Sequence, residues 1–343
     1  MVAPRSKIAK VQAWDDLDAE DVDDPLMVAE YVNEIFDYMR KLELKSLPNP
    51  CYMDQQKELA WKMRGILVDW LVEVHTKFRL LGETLFLTVN IIDRFLSKRT
   101  VSLVKLQLVG ITAMFVAAKY EEIMAPSVQN FIYMADGGYS DEEVLNAERY
   151  LLQVLGFDLS YPNPLNFLRR VSKADNYDFQ TRTLAKYFME ISLVDYRFLA
   201  CPPSLLAAAG TYLSRKMLDR GPWDANLDHY SGYTEAELQP CVQLMIDFIA
   251  RPVKHESFFK KYASKKFMKA SLFAREWVSR QHPALVLTYS QAGGSAANLP
   301  ADSLQASVNV GEDSTSSVDN TAATVHHNQL YSQPQEDVMG IVL

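Results

Sequence analysis

The chain has 343 residues, of which 48% are hydrophobic and 23% charged. This composition is typical of folded domains and excludes a chain that is disordered throughout. The three cysteines, Cys51, Cys201 and Cys241, are far apart and form no CxxC pair. They predict neither a disulfide framework nor a cysteine zinc site, which favours an intracellular protein. No uninterrupted apolar stretch approaches the roughly 18 residues of a membrane span, so we expect no membrane partner.

The net charge of -8 is carried by the two ends of the chain. Residues 14–24 hold seven acidic residues and residues 281–343 hold six, and neither segment has a basic residue. Residues 25–280 hold 32 basic and 30 acidic residues. A nearly neutral body lacks the basic surface on which nucleic-acid binding depends. The charge distribution therefore predicts no nucleic-acid partner.

In chain order, the sequence begins with a predicted acidic and disordered lead-in, residues 1–24. From Leu26 onward apolar residues recur every three or four positions, which predicts a helix and a linker over residues 25–50. Strand patterns are almost absent, so the fold class is predicted to be all-α. After about residue 281 the sequence is rich in Ser, Ala, Asn, Gln and Thr and has few aromatic residues. We therefore predict a disordered tail over residues 281–343.

The region between these ends contains a repeat. NIIDRFLS at residues 90–97 resembles SLVDYRFLA at 192–200, and YSDEEV at 139–144 resembles YTEAEL at 233–238. The offsets are 102 and 94 residues. A unit of about a hundred residues is the size of a domain and exceeds helical solenoid repeats. Two copies of one helical bundle are the simplest interpretation.

Helix boundaries within the repeat are marked by local sequence. Ser140 with Glu143 predicts a capping box, and the helix that it opens is expected to end at Gly156. Thr234 with Glu237 predicts a second capping box.

The segment from residue 61 to 78, WKMRGILVDWLVEVHTKF, is predicted to be a helix with two apolar stripes. The stripes together span roughly 240°, whereas a surface helix needs only about 100° to face one core. Either the helix is buried on nearly all sides, or one stripe is core and the other an exposed docking patch. Glu73 falls beside Ile66 and Trp70, which suits a ligand with a basic residue close to an apolar one.

Motifs of catalysis are absent: the sequence has no GxGxxG, GxxxxGK[ST], HExxH or GxSxG pattern. The six histidines show no metal-ligand spacing apart from a pair in the tail. We therefore predict a chain that is not an enzyme and that has no cofactor and no metal site. His75 is interpreted as an ordinary core or surface histidine.

MRGILVDWLVEV at residues 63–74 resembles the MRAIL helix of the cyclins, and KLQLVGITAMFVAAKYEEI at 105–123 follows in cyclin order. NFLRRVSKADNYDFQTRTLAKYFMEI at 166–191 resembles mitotic B-type cyclins of the fungal kind. The resemblance implies two tandem cyclin boxes of five helices each. We place them at residues 51–160 and 161–280, in agreement with the repeat.

The resemblance implies a non-catalytic subunit that binds and activates a cyclin-dependent serine/threonine kinase for mitotic entry, in the nucleus and cytoplasm. The residues that it implies for kinase binding are Lys119, Glu148, Phe157, Leu159, Tyr31 and Ile35. On the 94-residue offset Glu148 falls opposite Val242, so the acid belongs to the first box alone. The alternative for these residues is an ordinary surface salt bridge and ordinary core packing.

The resemblance also implies recruitment of substrates or inhibitors that carry Arg-x-Leu motifs. The implied docking residues are Met63, Ile66, Leu67, Trp70 and Gln107, with Glu73 meeting the arginine of the motif. Gly65 replaces the usual alanine of MRAIL, which is expected to cost about 1 kcal/mol of helix propensity without altering the patch.

A nucleic-acid-binding transcription factor with a cyclin fold is the alternative from another functional class. Its best support is a run of lysines: Lys254, Lys260, Lys261, Lys265, Lys266 and Lys269. A solvated helix face is the simpler interpretation of such a run.

Overall fold

Helices form all the regular secondary structure in residues 13–291, which are the residues that the computed structural model describes. The helix α1 (Val32–Lys45) precedes two bundles of five helices. The first box consists of α2 (Trp61–Phe78), α3 (Gly82–Leu96), α4 (Leu106–Glu121), α5 (Val128–Met134) and α6 (Asp141–Leu155). The second box consists of α7 (Pro164–Ala174), α8 (Phe179–Val194), α9 (Pro203–Met217), α10 (Ala225–Ser231) and α11 (Glu235–Ala250). The predicted all-α fold with two five-helix boxes is confirmed.

Three further helices follow the second box: α12 (Glu256–Ala263), α13 (Ala270–Gln281) and α14 (Pro283–Gln291). α12 packs against α2 of the first box, whereas α13 and α14 pack against α11 of the second. The chain after the second box therefore contacts both boxes.

The predicted helix ends are present. The Ser140 backbone N–H donates to the Glu143 carboxylate at 2.9 Å, and the Glu143 N–H donates to the Ser140 hydroxyl at 3.2 Å. Gly156 ends α6 with φ of 65°. The Thr234 N–H donates to the Glu237 carboxylate at 2.7 Å, which opens α11. Each capping box and the glycine helix end involve residues within one or two helical turns, so the local sequence is sufficient to predict them.

The core of the first box is built around α4, in which 12 residues are buried. The segment Leu103–Glu121 is long and apolar enough to span a membrane by length and composition, but most of it is buried in the protein. α9 occupies the corresponding central place in the second box, packed against α7, α8 and α11. Both bundles thus enclose one apolar helix.

A buried ion pair joins the two boxes. Arg64 of α2 donates two hydrogen bonds of 2.7 Å to the Asp93 carboxylate of α3, and a third of 2.9 Å to the Leu193 carbonyl of α8. The Trp61 ring stacks on Tyr196 with centroids 4.4 Å apart. One face of α2 is therefore used to hold the second box.

The structure differs from the predicted lead-in over residues 13–24, and residues 1–12 lie outside the described residues. Leu17–Asp21 forms a 3-10 helix. Asp18 within it pairs with Arg170 and Lys173 of α7. The acidic run is ordered because it pairs with basic side chains about 150 positions later in the chain. The composition of residues 13–24 alone contains no information about these partners.

The predicted tail boundary at residue 281 is wrong, because α14 extends to Gln291. The Tyr289 hydroxyl donates to the Asp247 carboxylate of α11, and the Arg251 guanidinium lies 5.2 Å from the Tyr289 ring centre. The average polar composition of the tail conceals these nine residues, which include several apolar side chains. The rest of the predicted tail, residues 292–343, lies outside the described residues.

Candidate functional site

Lys119 and Glu148, two of the residues implied for kinase binding, form an ion pair between α4 and α6. The Lys119 side chain is 43% exposed and the Glu148 side chain 12% exposed. The Lys119 ammonium also lies 4.1 Å from the centre of the Phe115 ring, a cation–π contact. Because solvent screens a partly exposed pair, its contribution to folding is about 0–1 kcal/mol. The pair can open at small cost and leave a donor and an acceptor for a partner.

Phe157 and Leu159 follow the end of α6. The Phe157 N–H donates to the Leu152 carbonyl at 2.9 Å, and its φ of 59° lies in the left-handed region. This conformation costs a non-glycine residue on the order of 1–2 kcal/mol. The Phe157 side chain is 69% exposed, whereas Leu159 is half-buried. Core packing is thus excluded for Phe157, and an exposed aromatic residue on a strained backbone indicates a contact surface.

Exposed apolar side chains near the end of α4 and on α5 escape prediction from the sequence. They are Tyr120, Ile123, Met124 and Tyr133. α4 ends at Glu121, so the residues just after it lie in a turn. For Ile123 and Met124 the available signal is Pro126, since proline is disfavoured inside a helix and marks the connection between α4 and α5. Of these side chains, Tyr120 directly follows Lys119 in α4, and Ile123 and Met124 follow the end of that helix.

Tyr31 lies immediately before α1 and Ile35 lies on its first turn, and both are exposed. α1 itself is anchored to the second box, where the buried Glu43 carboxylate accepts hydrogen bonds from the Ser204 N–H at 2.8 Å and the Ser204 hydroxyl at 2.6 Å. Burial raises the pKa of Glu43, and the bonds from Ser204 oppose this effect. The structure therefore places Tyr31 and Ile35 on an element separate from the α4–α6 ion pair.

The implied docking stripe on α2 divides into exposed and buried members. Ile66 is 60% exposed, and Met63 and Trp70 are half-buried. Leu67 is only 6% exposed and packs against α4 at Gly110, where an added Cβ would lie 2.7 Å from Leu67 Cδ1. Both interpretations of the helix therefore hold in part, with Leu67 in the core and the other three residues at the surface.

The polar members of the docking stripe are exposed. Glu73 forms an ion pair of 2.9 Å with Lys77, four positions later on α2. Gln107 accepts a long hydrogen bond of 3.4 Å from the Tyr139 hydroxyl. An exposed i,i+4 pair contributes about 0.3–0.5 kcal/mol. An incoming guanidinium can therefore displace Lys77 from Glu73 at little cost.

Gly65 has a role in packing beyond its effect on helix propensity. A Cβ at this position would lie 2.9 Å from Cε1 of His255, just before α12. On the next turn the Asp69 carboxylate accepts a hydrogen bond of 2.8 Å from the Phe258 N–H of α12. The absence of a side chain at Gly65 thus admits His255 and brings α12 against the helix that carries the docking stripe.

The lysine run that favoured the nucleic-acid alternative is not a uniformly free basic surface. Lys261 forms a buried ion pair of 2.6 Å with Glu190. Lys260 pairs with Glu256 at 2.7 Å in solvent. Because these acids cancel positive charge that phosphate binding would need, the alternative loses support.

His75 is a core residue and not a site for chemistry. Its Nε2 lies 2.8 Å from the Leu81 carbonyl. Burial, together with the positive charge of Lys261, lowers the pKa of His75 to about 4. Over residues 13–291, no group of three or more His, Cys, Asp or Glu side chains is arranged to hold a metal ion.

Two family profiles match the chain. "Cyclin, N-terminal domain" matches residues 34–160 and "Cyclin, C-terminal domain" matches residues 162–276. The chain is 67% identical over 269 residues to the G2/mitotic-specific cyclin cdc13 of Schizosaccharomyces pombe, an alignment that covers 78% of this chain and 56% of that protein. It is 65% identical over 267 residues to the G2/mitotic-specific cyclin-B of Emericella nidulans, with coverage of 78% and 56%. The chain thus spans about half the length of these relatives.

A solved structure of a viral cyclin from herpesvirus saimiri matches with a TM-score of 0.56, over 62% of this chain and 94% of the viral chain. Its sequence identity of 20% means that this likeness shows the fold alone. The two profile matches, residues 34–160 and 162–276, contain the helices of the first and second boxes respectively. Two five-helix boxes, two domain matches and high identity to fungal cyclins together show that the chain belongs to the cyclin family.

Proposed function

We propose that the chain is a regulatory subunit that binds and activates a cyclin-dependent serine/threonine kinase at mitotic entry and does not itself catalyse phosphoryl transfer. The observation that carries this proposal is the partly exposed Lys119–Glu148 ion pair, next to exposed apolar residues at the end of α4. The names of the relatives, G2/mitotic-specific cyclins, support the mitotic assignment.

The chemistry of the pair suits recognition of a peptide backbone. The Lys119 ammonium can donate to a carbonyl, and the Glu148 carboxylate can accept from an N–H. Burial of Ile123 and Phe157 against a partner would supply apolar contact area. Protein kinases need a Lys-Glu ion pair, with the Glu on the mobile helix αC, before they hold the ATP phosphates. A rigid surface that binds this helix would stabilise the active arrangement, while the kinase supplies every catalytic group.

Phosphorylation of histone by kinase alone, by the chain alone and by both together tests the proposal. We expect no activity from the chain alone and an increase by orders of magnitude when a cyclin-dependent kinase is added. Equal rates with and without the chain would refute the activator role.

We also propose that α2 recruits substrates or inhibitors with Arg-x-Leu motifs. Ile66, Met63 and Trp70 would receive the apolar residue of the motif, and Glu73 the arginine. This proposal is supported by the exposure of Ile66 and Glu73, and it excludes Leu67 as a direct contact because Leu67 is buried.

Met63→Ala combined with Trp70→Ala should separate recruitment from activation. Phosphorylation of a protein with a distal Arg-x-Leu motif should show a raised KM, whereas a short peptide without the motif should be phosphorylated at an unchanged rate. Leu67→Ala is the matched core variant, and it should lower stability by about 2–5 kcal/mol. An equal loss with both substrates would contradict the docking role.

A location in both nucleus and cytoplasm remains a proposal that follows from the mitotic role. Imaging of a fluorescent fusion through the cell cycle would test it, and exclusion from the nucleus at every stage would refute it.

A further inference from the structure

The segment before α1 is bound along the surface of the second box. The Trp14 ring stacks on His229, with centroids 3.4 Å apart and planes 8° apart. The Asp15 N–H donates to the Asn226 side chain at 2.7 Å, and the Leu17 N–H donates to the Tyr230 hydroxyl at 2.7 Å. Stacking and backbone hydrogen bonds thus fix this segment to α10. We call residues 14–21 the strap.

An ionic cluster continues the attachment of the strap to α7. Asp18 accepts a hydrogen bond of 2.7 Å from Arg170, and Lys173 lies 2.9 Å from it and also pairs with Asp21. Side-chain exposure of Arg170, Lys173 and Asp18 is 8%, 9% and 14%. Burial raises the pKa of Asp18, but its bonds to the two cations outweigh burial and leave the pKa below its usual value. Because loss of Asp18 would leave two largely dehydrated cations without this partner, disruption of the cluster should cost more than disruption of an exposed pair.

Arg170 connects the strap with α1. Its guanidinium lies 4.5 Å from the Tyr230 ring centre and 5.2 Å from the ring centre of Phe36 on α1. α1 has its own attachments farther on, where Arg40 donates to the Ser231 carbonyl at 2.7 Å. The strap and α1 are therefore held side by side on the second box.

Residues 22–31 form a loop between these two attachments, and the last three residues of this loop, Ala29–Tyr31, form a 3-10 helix. Val28 in this loop has φ of 51°, in the left-handed region. Leu26 is 88% exposed, and Tyr31 at the end of the loop is also exposed. The loop thus presents apolar side chains while both of its ends are fixed.

We propose that the strap positions the start of α1 for kinase binding, with Trp14 and Asp18 as positioning residues. This inference rests on the proposed function, since Tyr31 and Ile35 are the proposed kinase contacts on α1. Ordering a flexible surface on binding costs free energy and weakens binding. A surface that is already held in one conformation avoids this cost. The strap contacts the second box and also the 3-10 helix Ala29–Tyr31 that leads into α1, so its effect on the kinase acts through α1.

Asp18→Lys and Trp14→Ala in the full chain test the inference. Hydrogen exchange should become faster at the start of α1, and affinity for a purified cyclin-dependent kinase should fall by about tenfold, the penalty when about a tenth of molecules hold the competent conformation. Glu20→Lys is the matched control, because it makes the same charge change at an exposed residue of the strap. Trp14→Phe, which keeps an aromatic ring for stacking, should restore most of the affinity.

The outcomes separate the two proposals. Unchanged hydrogen exchange in α1 would overturn the inference that the strap holds the start of α1 in place. Faster exchange with unchanged kinase affinity would overturn the inference that this positioning matters for kinase binding. An equal effect of Glu20→Lys would show that net charge alone is responsible and would also overturn it. Failure of the wild-type chain to bind the kinase would instead refute the proposed function, and with it the positioning role. Circular dichroism should show full helix content in every variant.

Discussion

The two boxes share one architecture but differ in how they use equivalent helices. α6 of the first box carries Glu148 at a partly accessible position, and the equivalent position on α11 of the second box is the buried Val242. α11 packs against α13 and α14 in addition to helices of its own box, whereas α6 packs against α3, α4 and α5. The equivalent position is therefore buried in the box whose last helix is packed against later helices, and it stays partly accessible in the box without them.

A pair of equivalent aspartates shows the same divergence. Asp93 accepts hydrogen bonds from Arg64 and from the Tyr52 hydroxyl, and Arg64 continues to the second box. Asp195, its counterpart in the repeat, pairs with Arg197 only two positions away, and Arg197 also pairs with Asp247. The first aspartate belongs to the junction between the boxes, and the second stabilises its own box.

Substitution of the two aspartates should give the largest difference between the boxes in the free energy of unfolding. Asp93→Ala should lower the free energy of unfolding by about 3–5 kcal/mol, because Arg64 would remain as a buried and unpaired charge. Asp195→Ala is the matched variant and should cost less, since Arg197 retains Asp247. Urea denaturation measures both changes, and equal losses would contradict the different roles.

His75 of the first box should make stability more dependent on pH than His229 of the second. The pKa of His75 is lowered by burial from 6.5 to about 4. Between these values only the unfolded state binds the proton, so the contribution is complete above about pH 6.5 and is lost as the pH falls toward 4. The shift corresponds to about 3 kcal/mol.

His75→Gln, which can still donate to the Leu81 carbonyl, should flatten the dependence of the urea midpoint on pH in this window. Burial also lowers the pKa of His229, but that residue is partly exposed, so His229→Gln should flatten the profile less. If the two substitutions flatten the pH dependence equally, the deeper burial of His75 does not make its contribution to that dependence larger than the contribution of His229.

Charge reversal on the uncovered face of the first box should weaken kinase binding. Lys119→Glu or Glu148→Lys should each weaken binding at least about tenfold, or 1.4 kcal/mol. The first substitution would place an acceptor against a kinase carbonyl, and the second would place a donor against a kinase N–H. The double reversal rebuilds the ion pair within the chain but presents the wrong partner to each kinase group. Lys216→Glu, at an exposed lysine of α9, is the control. Isothermal titration that shows full recovery in the double variant would make the pair structural only.

Removal of α14, which covers part of the second box, should have the smallest effect. Truncation before Pro283 loses the hydrogen bond from Tyr289 to Asp247, worth about 1 kcal/mol. That loss should lower Tm by about 2 °C for a chain of this size. Truncation after Gln291 should leave Tm nearly unchanged. Scanning calorimetry distinguishes the two, and identical Tm values would mean that α14 does not stabilise the box.

Local features of this protein can be predicted from the sequence because they depend on neighbours within a few turns. The capping box of Ser140 and Glu143 and the helix end at Gly156 need only residues of one helix. Apolar periodicity likewise predicts helices, and the repeat predicts two bundles. The sequence also brings out Lys119 and Glu148 as candidates through the family resemblance, although it leaves their exposure open.

Exposure and long-range pairing were decided by the tertiary structure. Leu67 and Ile66 are adjacent apolar residues, and only the approach of α4 at Gly110 buries the first and leaves the second exposed. Asp18 is ordered by Arg170, which is 152 positions away. Helical periodicity says which residues share a face, but it does not say which face another segment will cover. That choice depends on contacts between distant parts of the chain, which form only when the whole fold packs together.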